Sequence, residues 1–239
     1  MANLIEIFSS IQGEGKYVGC RQIFVRLSEC NLNCAYCDTN FKRAEFCKIE
    51  TTAGSMIIEQ IKNPFTPAQV AAIINQFNIE VPTHSVSFTG GEPLLHWKFI
   101  RQVAEKINLK IFLETNGTLP NELSQIIDFI DIISMDIKLP SVAGNFFNQH
   151  REFLKIAVQK DLYTKIVISA ETTLEEFDAA INLIAEVSPE ILLILQPVTP
   201  VKNVKSISAL KVLELQARAL TKLKSVRVIP QTHKAINIF

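Results

Sequence analysis

Short apolar runs alternate along the chain with segments of helical periodicity. The seven runs with the length and composition of β-strands are Ile23–Leu27, Ser85–Phe88, Ile111–Leu113, Ile132–Met135, Lys165–Ile168, Ile191–Leu195 and Val226–Ile229. Helical periodicity follows Thr66-Pro67, follows Thr172, and runs from about Ile207 to Leu223. This alternation predicts an α/β fold in which helices cover a parallel sheet.

The number of strand–helix units limits the architecture. Six or seven units are fewer than a closed eight-fold barrel requires, so we expect a partial, open barrel of the (βα)6 type. Segment 41–64 interrupts the alternation and is predicted to be an insertion after the first strand. No repeat, low-complexity tract or linker divides the chain, which predicts one domain over residues 1–239.

Composition and charge narrow the class of partner. The 239 residues are 48% hydrophobic and carry no formal net charge, which does not favour a nucleic-acid-binding protein. No stretch approaches the roughly 20 apolar residues that cross a bilayer, and residues 1–10 lack the pattern of a signal peptide. We therefore expect a cytoplasmic protein that acts on a small molecule, without a membrane or nucleic-acid partner.

The cysteines give the strongest chemical signal. Three of the five lie within eight positions, in Cys30-Asn-Leu-Asn-Cys34-Ala-Tyr-Cys37, a density that favours metal binding over disulfides. Three thiolates on a four-iron cluster leave one iron open to a small molecule. Structural zinc is the alternative, and it would need a fourth ligand such as Cys20 or Cys47.

Polar motifs follow the predicted strands at the ends where barrel enzymes place their chemistry. In Thr89–Pro93 (TGGEP), paired glycines allow close approach to a ligand, and Glu92 offers an acceptor for an ammonium group. The other motifs are Glu114–Gly117, Asp136–Lys138, Gln196-Pro197 and Gln231–Lys234. Each alone fits a turn or a helix cap, but together they predict one binding site.

Two further features lie near the N-terminus. Ser10–Gly15 (SIQGEG) places glycines around a carboxylate, which indicates a loop that folds over a ligand. Arg26 lies near the end of a predicted strand, shortly before the first cysteine, and can bind a substrate carboxylate bidentately.

In this order the motifs resemble those of the radical SAM (S-adenosylmethionine) superfamily, and more closely those of its 7-carboxy-7-deazaguanine synthase family. The matching stretches are SIQGEG at 10–15, FVRLSECNLNCAYCDT at 24–39, FTGGEP at 88–93, ETNGT at 114–118, DIKLPS at 136–141 and PQTHK at 230–234. The resemblance covers nearly the whole chain.

The resemblance implies a lyase of queuosine and other 7-deazapurine biosynthesis. Such an enzyme uses a [4Fe–4S] cluster, SAM and Mg²⁺ to convert 6-carboxy-5,6,7,8-tetrahydropterin to 7-carboxy-7-deazaguanine with loss of ammonia. A deoxyadenosyl radical derived from SAM abstracts the substrate hydrogen. The resemblance also implies a homodimer and an electron donor such as flavodoxin or ferredoxin.

The resemblance also assigns roles to individual residues. Cys30, Cys34 and Cys37 would hold the cluster, and Thr39 would contact Mg²⁺. The residues that would contact the pterin are Ile11, Gln12, Gly13, Arg26, Thr89, His233 and the carboxylate of Phe239. Those that would contact SAM are Gly91, Glu92, Glu114, Asp136, Ile137, Lys138 and Gln196.

The chain departs from the family pattern at two positions. Glu29 stands where the family often has glycine, and Asp136 where many members have serine. Two alternative functions are weighed against the synthase. One is an activase that forms a glycyl radical on a partner protein, and SIQGEG and QTHK argue against it. The other is an iron–sulfur electron carrier or a zinc-stabilised scaffold. A carrier would supply four cysteines per cluster, whereas this motif has three.

Overall fold

A computed structural model describes residues 1–37, 40–200 and 204–238. The strands are β1 Leu4–Ile11, β2 Arg21–Leu27, β3 Phe46–Glu50, β4 Ile58–Lys62, β5 Ser85–Gly90, β6 Ile111–Thr115, β7 Ile132–Asp136, β8 Asp161–Ile168, β9 Leu192–Pro197 and β10 Val226–Val228. The helices are α1 Pro67–Glu80, α2 Trp97–Ala104, α3 Pro120–Ser124, α4 Pro140–Ala143, α5 Phe147–Ala157, α6 Leu174–Val187, α7 Ala209–Leu220 and α8 Thr232–Ala235. Thr39 and Phe239 lie outside the described residues.

The strands form one open sheet in the order β10-β9-β8-β7-β6-β5-β2-β1-β3-β4. From β2 through β5 to β10 every neighbouring pair is parallel. These are the seven strands that the sequence predicts. Successive members are joined through helices, as parallel pairing requires. The expected α/β architecture of an open, partial barrel is confirmed.

The strand at the N-terminus was not predicted. β1 pairs antiparallel with β2, so the strand expected to be first is the second. Strand β1 is covered on both sides for most of its length and therefore lacks the alternation that marks a half-buried strand. The insertion 41–64 follows β2 and contains the hairpin β3–β4. Strand β3 pairs parallel with β1, and the hairpin thereby extends the sheet.

Helix boundaries follow local capping. Thr66 caps α1 through a capping box with Gln69, and Pro67 occupies its first position, as expected. Helix α6 is capped by Thr173, one residue beyond the expected Thr172. Helix α7 is capped by Ser208 and is shorter than predicted. No helix in the described ranges is long and apolar enough to cross a membrane.

The two faces of the sheet carry different side chains. The outer face packs against the helices in a large apolar core, to which α1 contributes Val70, Ile74 and Phe77. A separate small apolar cluster consists of Phe112, Ile132, Tyr163 and Ile194. Two positions further along the same strands are Glu114, Ser134, Lys165 and Gln196. Residues i and i+2 of a strand share a face, so the inner face changes from apolar to polar towards the strand ends.

A buried carboxylate attaches the hairpin to the rest of the sheet. Glu50, at the end of β3, is 1% exposed. Its Oε2 accepts hydrogen bonds from the backbone N–H groups of Ser9 and Gly54, each at 2.9 Å. Its Oε1 accepts from Met56 N at 2.7 Å. One side chain thus satisfies donors in both β1 and the hairpin turn.

We predict that Glu50→Gln destabilises the protein by about 1–3 kcal/mol, because an NH2 group then faces backbone donors that have lost their acceptor. Denaturant unfolding of the two proteins measures the difference. Glu59→Gln on the exposed strand β4 is the matched control and should change the free energy of unfolding by less than about 0.5 kcal/mol. Equal effects of the two substitutions would contradict the proposed role of Glu50.

Candidate functional site

A cavity of about 530 Å³ opens at the carboxyl ends of the parallel strands. Its wall contains most of the polar motifs singled out in the sequence. The predicted site residues that line it are Gln12, Gly13, Arg26, Cys30, Cys34, Cys37, Thr89, Gly91, Glu114, Asp136, Lys138, Gln196 and His233. The structure therefore brings together segments from both ends of the chain, as the sequence predicted.

Three other predicted site residues do not line the cavity: Ile11, Glu92 and Ile137. Ile137 and Glu92 are fully buried, and Ile11 is the last residue of β1. Cys20 and Cys47, the possible fourth zinc ligands, are also absent from the lining. Cys47 is buried in β3, where burial raises the pKa of its thiol to about 12.

The cysteine loop lies along one side of the cavity. Cys30, Cys34 and Cys37 are half-buried and form no disulfide. Leu32 N donates to Cys30 Sγ at 3.4 Å, and Asn116 Nδ2 lies 4.0 Å from the same sulfur. Burial raises the pKa of both Cys30 and Cys34.

The arrangement of the thiols bears on the choice between zinc and an iron–sulfur cluster. Among the described residues, no group of three or more His, Cys, Asp or Glu side chains converges as ligands of a single ion. A zinc ion requires thiolates that meet about 2.3 Å from one point. The thiolates of a four-iron cluster bind separate irons and need not converge in this way. The three cysteines fit the cluster by their number, because a four-iron cluster with three protein ligands keeps one iron open to a small molecule.

The glycine pair of TGGEP packs against the cysteine loop. A Cβ at Gly90, whose φ is +126°, would lie 2.1 Å from Leu27 O, and one at Gly91 would lie 1.8 Å from Glu29 O. Glu92 N donates to Glu29 O at 2.8 Å. The sequence suggested that these glycines allow a ligand to approach. The structure shows that they admit the backbone of residues 27–30.

Glu92 is committed to bonds within the protein. Its Oε1 accepts from Leu94 N at 3.1 Å and Thr115 Oγ1 at 2.8 Å, and its Oε2 accepts from Asn116 N at 2.8 Å. Burial raises the pKa of Glu92 to about 7, although these hydrogen bonds act in the opposite direction. The carboxylate joins the TGGEP turn to the end of β6 and does not face the cavity.

Glu114 forms the centre of a hydrogen-bonded group. Gln12 Nε2 donates to Glu114 Oε1 at 2.7 Å, and Thr89 Oγ1 donates to Glu114 Oε2 at 2.7 Å. Gln12 Nε2 also lies 3.0 Å from Gln22 Oε1. Glu114, predicted to contact SAM, is therefore grouped with two residues predicted to contact the pterin.

A second polar group lies beside the cysteines. Lys138 Nζ donates to Asp136 Oδ2 at 2.8 Å and lies 5.2 Å from the centre of the Tyr36 ring, within the cysteine loop. Burial would lower the pKa of Lys138, but Asp136 holds it well above its usual value. Asp136 Oδ1 and Gln196 Oε1 are buried and have no hydrogen-bond partner among the described residues.

Arg26, on β2, lies on the cavity wall, and its side chain contacts the neighbouring strand β1. Its Nε donates to Glu6 Oε1 at 2.7 Å, and its guanidinium is 5.9 Å from the Phe8 ring centre. Phe8 in turn stacks on Phe24, with ring centroids 5.0 Å apart. These contacts orient the arginine on an aromatic surface within the cavity.

Sequence reasoning missed an ion pair in the cavity. Lys165 of β8 is 7% exposed and bonds to Glu14 of the SIQGEG segment. Burial alone would raise the pKa of Glu14, but Lys165 lowers it to about 2. Gln231 Nε2 donates to Glu14 Oε1 at 2.7 Å, and Thr199 Oγ1 donates to Gln231 Oε1 at 2.6 Å. The signal for this pair was a lysine in the predicted strand Lys165–Ile168, whose other three residues are apolar.

The C-terminal segment folds back onto the N-terminal motif. Thr232 donates to Gly13 O through both its N–H, at 2.9 Å, and its Oγ1, at 3.1 Å. The His233 ring packs so closely on Gly13 that a Cβ there would lie 2.1 Å from Nδ1. His233 therefore lies on the cavity wall next to Gly13, and its contact with the substrate stays a prediction.

Comparison with known proteins agrees with this geometry. The family model described as the Radical SAM superfamily matches residues 25–197. The chain is 43% identical over 240 residues to the 7-carboxy-7-deazaguanine synthase of Geobacter sulfurreducens, which covers 98% of this chain and 96% of that protein. It is 36% identical to the 7-carboxy-7-deazaguanine synthase of Methanocaldococcus jannaschii, with 98% of each chain covered.

Solved structures share the fold. QueE from Escherichia coli matches with a TM-score of 0.62 at 21% identity, over 97% of this chain and 94% of that chain. A radical SAM methyltransferase from Sphaerobacter thermophilus matches with a TM-score of 0.61 at 10% identity, over 88% and 66% of the two chains. At such identities the likeness concerns the fold alone. The sequence relationships go further, and they show that this chain belongs to the radical SAM superfamily and, within it, to the 7-carboxy-7-deazaguanine synthase family.

Proposed function

We propose that this chain converts 6-carboxy-5,6,7,8-tetrahydropterin to 7-carboxy-7-deazaguanine with loss of ammonia, as a lyase of 7-deazapurine biosynthesis that includes the queuosine pathway. The observation that carries this proposal is the 43% identity to a synthase of that name over nearly the full length of both proteins. Family membership implies a [4Fe–4S] cluster and SAM, which together supply the chemistry of hydrogen-atom abstraction. The residues of this chain bind, orient and enclose the reactants.

The cysteine loop is suited to hold the cluster. Cys30, Cys34 and Cys37 line the same side of the cavity, and soft thiolates are the ligands that iron–sulfur clusters take. With these three protein ligands, one iron of the cluster would be left without a protein ligand and could bind a small molecule. Leu32 N–H at Cys30 Sγ provides a hydrogen bond of the kind that adjusts a cluster's potential.

The buried acceptors beside the cysteines are suited to SAM. An unpaired buried polar atom carries an energetic cost that a ligand donor removes. SAM offers an ammonium group and two ribose hydroxyls, and Asp136 Oδ1 and Gln196 Oε1 are acceptors without partners among the described residues. Lys138 restrains Asp136, and Gly91 contributes backbone to the same wall. We assign Glu92 and Ile137 to supporting this wall rather than to contacting SAM.

The group around Glu114 is suited to the pterin. Its carboxylate is held by Gln12 and Thr89 and can accept from the ring N–H groups of the substrate. Arg26 is the cation for the substrate carboxylate. We therefore move Glu114 from the SAM contacts to the substrate contacts, and keep Gly13 and His233 with them. Ile11 contributes by positioning Gln12.

The remaining parts of the proposal rest on family membership. Mg²⁺ would bind at Thr39 together with substrate oxygen atoms, since this hard cation takes oxygen ligands. The carboxylate of Phe239 would contact the substrate, and both residues lie outside the described ranges. A homodimer, a protein electron donor and a cytoplasmic location complete the proposal.

Reconstituted protein is expected to form 7-carboxy-7-deazaguanine from the tetrahydropterin when SAM, Mg²⁺ and dithionite are supplied without oxygen. Mass spectrometry of the product measures this directly. Cys34→Ala should lose both the cluster and the product, whereas the matched control Cys47→Ala, away from the cavity, should retain both. Protein that binds the cluster and cleaves SAM but forms no deazaguanine would overturn the proposed function.

Thr39→Ala is expected to raise the Mg²⁺ concentration for half-maximal activity by about tenfold or more, because a ligand to the cation is lost. Iron and sulfide content should stay unchanged, and the exposed Thr52→Ala should behave as the unsubstituted enzyme. Loss of the cluster in Thr39→Ala would instead assign the residue a structural role.

The Glu14–Lys165 pair is expected to act as a unit in holding the SIQGEG segment over the substrate. Lys165→Met leaves a buried carboxylate uncompensated and should cost about 3–5 kcal/mol of stability. Combining it with Glu14→Gln should recover most of that loss, because the amide keeps its bond to Gln231 without a charge. Denaturant unfolding of both single variants and the double variant gives the coupling energy. Additive effects would show that the pair has no such role.

A further inference from the structure

A second concavity lies beside the backbone that leads into the cysteine loop. It measures about 480 Å³ and shares no lining residue with the main cavity. We call it the back surface, and it is lined by Met1, Leu95, His96, Trp97, Lys98, Phe99 and Gln102. A molecule bound there would leave the main cavity free for its own ligands.

The back surface is attached directly to the backbone that leads into Cys30. His96 Nε2 lies 3.0 Å from Ser28 O and 3.8 Å from Glu29 Oε2. From the same turn, Glu92 N donates to Glu29 O at 2.8 Å. Glu29 is the residue before Cys30, so the back surface contacts the backbone that leads directly into the loop that would hold the cluster.

The back surface is largely apolar and carries one lysine, Lys98. Met1 is 81% exposed and Leu95 is 43% exposed. Lys98 Nζ lies 5.4 Å from the centre of the half-buried Trp97 ring and has no ion-pair partner among the described residues. The carboxylate of Glu29, at the edge, is paired with Arg43 at 3.1 Å. The positive charge of Lys98 is therefore not balanced locally.

We propose that the back surface is the docking site of a small acidic protein that carries single electrons to the cluster. This inference rests on the proposed function, which requires a reduced cluster. One electron leaves the carrier, which is oxidised, and enters the cluster, which is reduced by one electron. No atom is transferred.

The physical character of the surface fits this partner. Electron-transfer complexes are weak and bury small interfaces, so a compact apolar patch is sufficient. An unbalanced lysine attracts an acidic protein and raises its association rate in a salt-dependent way. Separation from the main cavity allows the carrier to bind while SAM and substrate are in place.

Binding can be measured without any turnover, because Trp97 is the single tryptophan of the chain. Enzyme labelled with 5-fluorotryptophan gives one ¹⁹F signal from the back surface. We expect oxidised flavodoxin to shift that signal at low salt, and about 0.5 M NaCl to reverse the shift by screening. Lys98→Glu should weaken the binding by about tenfold, and the matched control Lys155→Glu, on α5, should not.

Turnover provides the second readout. Lys98→Glu should lower kcat/KM for reduced flavodoxin by about tenfold while leaving the dithionite-driven rate and the cluster content unchanged. No ¹⁹F shift with flavodoxin, or an equal loss with dithionite, would overturn the proposal. A ¹⁹F shift that depends on the enzyme concentration alone would also overturn the proposal, because a second copy of the enzyme would then occupy the back surface. Failure of the proposed function would instead appear as absence of the deazaguanine product with dithionite.

Discussion

The close approach of two stretches of backbone positions everything around the cysteines. Residues 90–92 meet residues 27–30 with so little space that a Cβ at Gly91 would lie 1.8 Å from Glu29 O. Two hydrogen bonds, Gly91 N to Leu27 O at 3.2 Å and Glu92 N to Glu29 O at 2.8 Å, close the contact. Because β2 and β5 are neighbouring parallel strands, the contact continues their pairing beyond the sheet. The cysteine loop therefore leaves the sheet in one defined direction.

The contact is extended by a buried polar network. The Glu92 carboxylate accepts hydrogen bonds from Thr115 and Asn116 at the end of β6. Asn116 Nδ2 then donates to Asn31 Oδ1 at 2.9 Å, within the cysteine loop itself. The bonds form a closed path from the loop through TGGEP and β6 back to the loop. A buried polar network is stabilising only when its donors and acceptors all have hydrogen-bond partners. Both carboxylate oxygens of Glu92 are therefore bonded to protein groups and do not face a ligand.

The same contact separates two surfaces with different chemistry. On one side, the cavity offers unpaired acceptors and ion pairs to polar reactants. On the other side, the turn after Glu92 presents Leu95, Trp97 and Lys98 to solvent. Cys30 lies between them, with its thiol on the cavity wall and its preceding backbone against the back surface. The proposed reactants and the proposed electron carrier would thus use surfaces that share no lining residue.

The sequence by itself determined the parallel strands, the polar motifs at their carboxyl ends and the cysteine loop, because each is recorded in local composition and spacing. Cys30, Cys34 and Cys37 needed no tertiary information to be recognised as a cluster motif. Strand β1 escaped prediction because burial on both faces removes its periodicity. Only the tertiary structure decided which partner each polar group takes. It assigned Glu92 to Thr115 and Asn116 at the end of β6. It also assigned Glu114 to Gln12 and Thr89, and Lys165 to Glu14, which is 151 positions away. Such pairings depend on strand order and on the direction of side chains across a sheet, and no local pattern in the sequence records either.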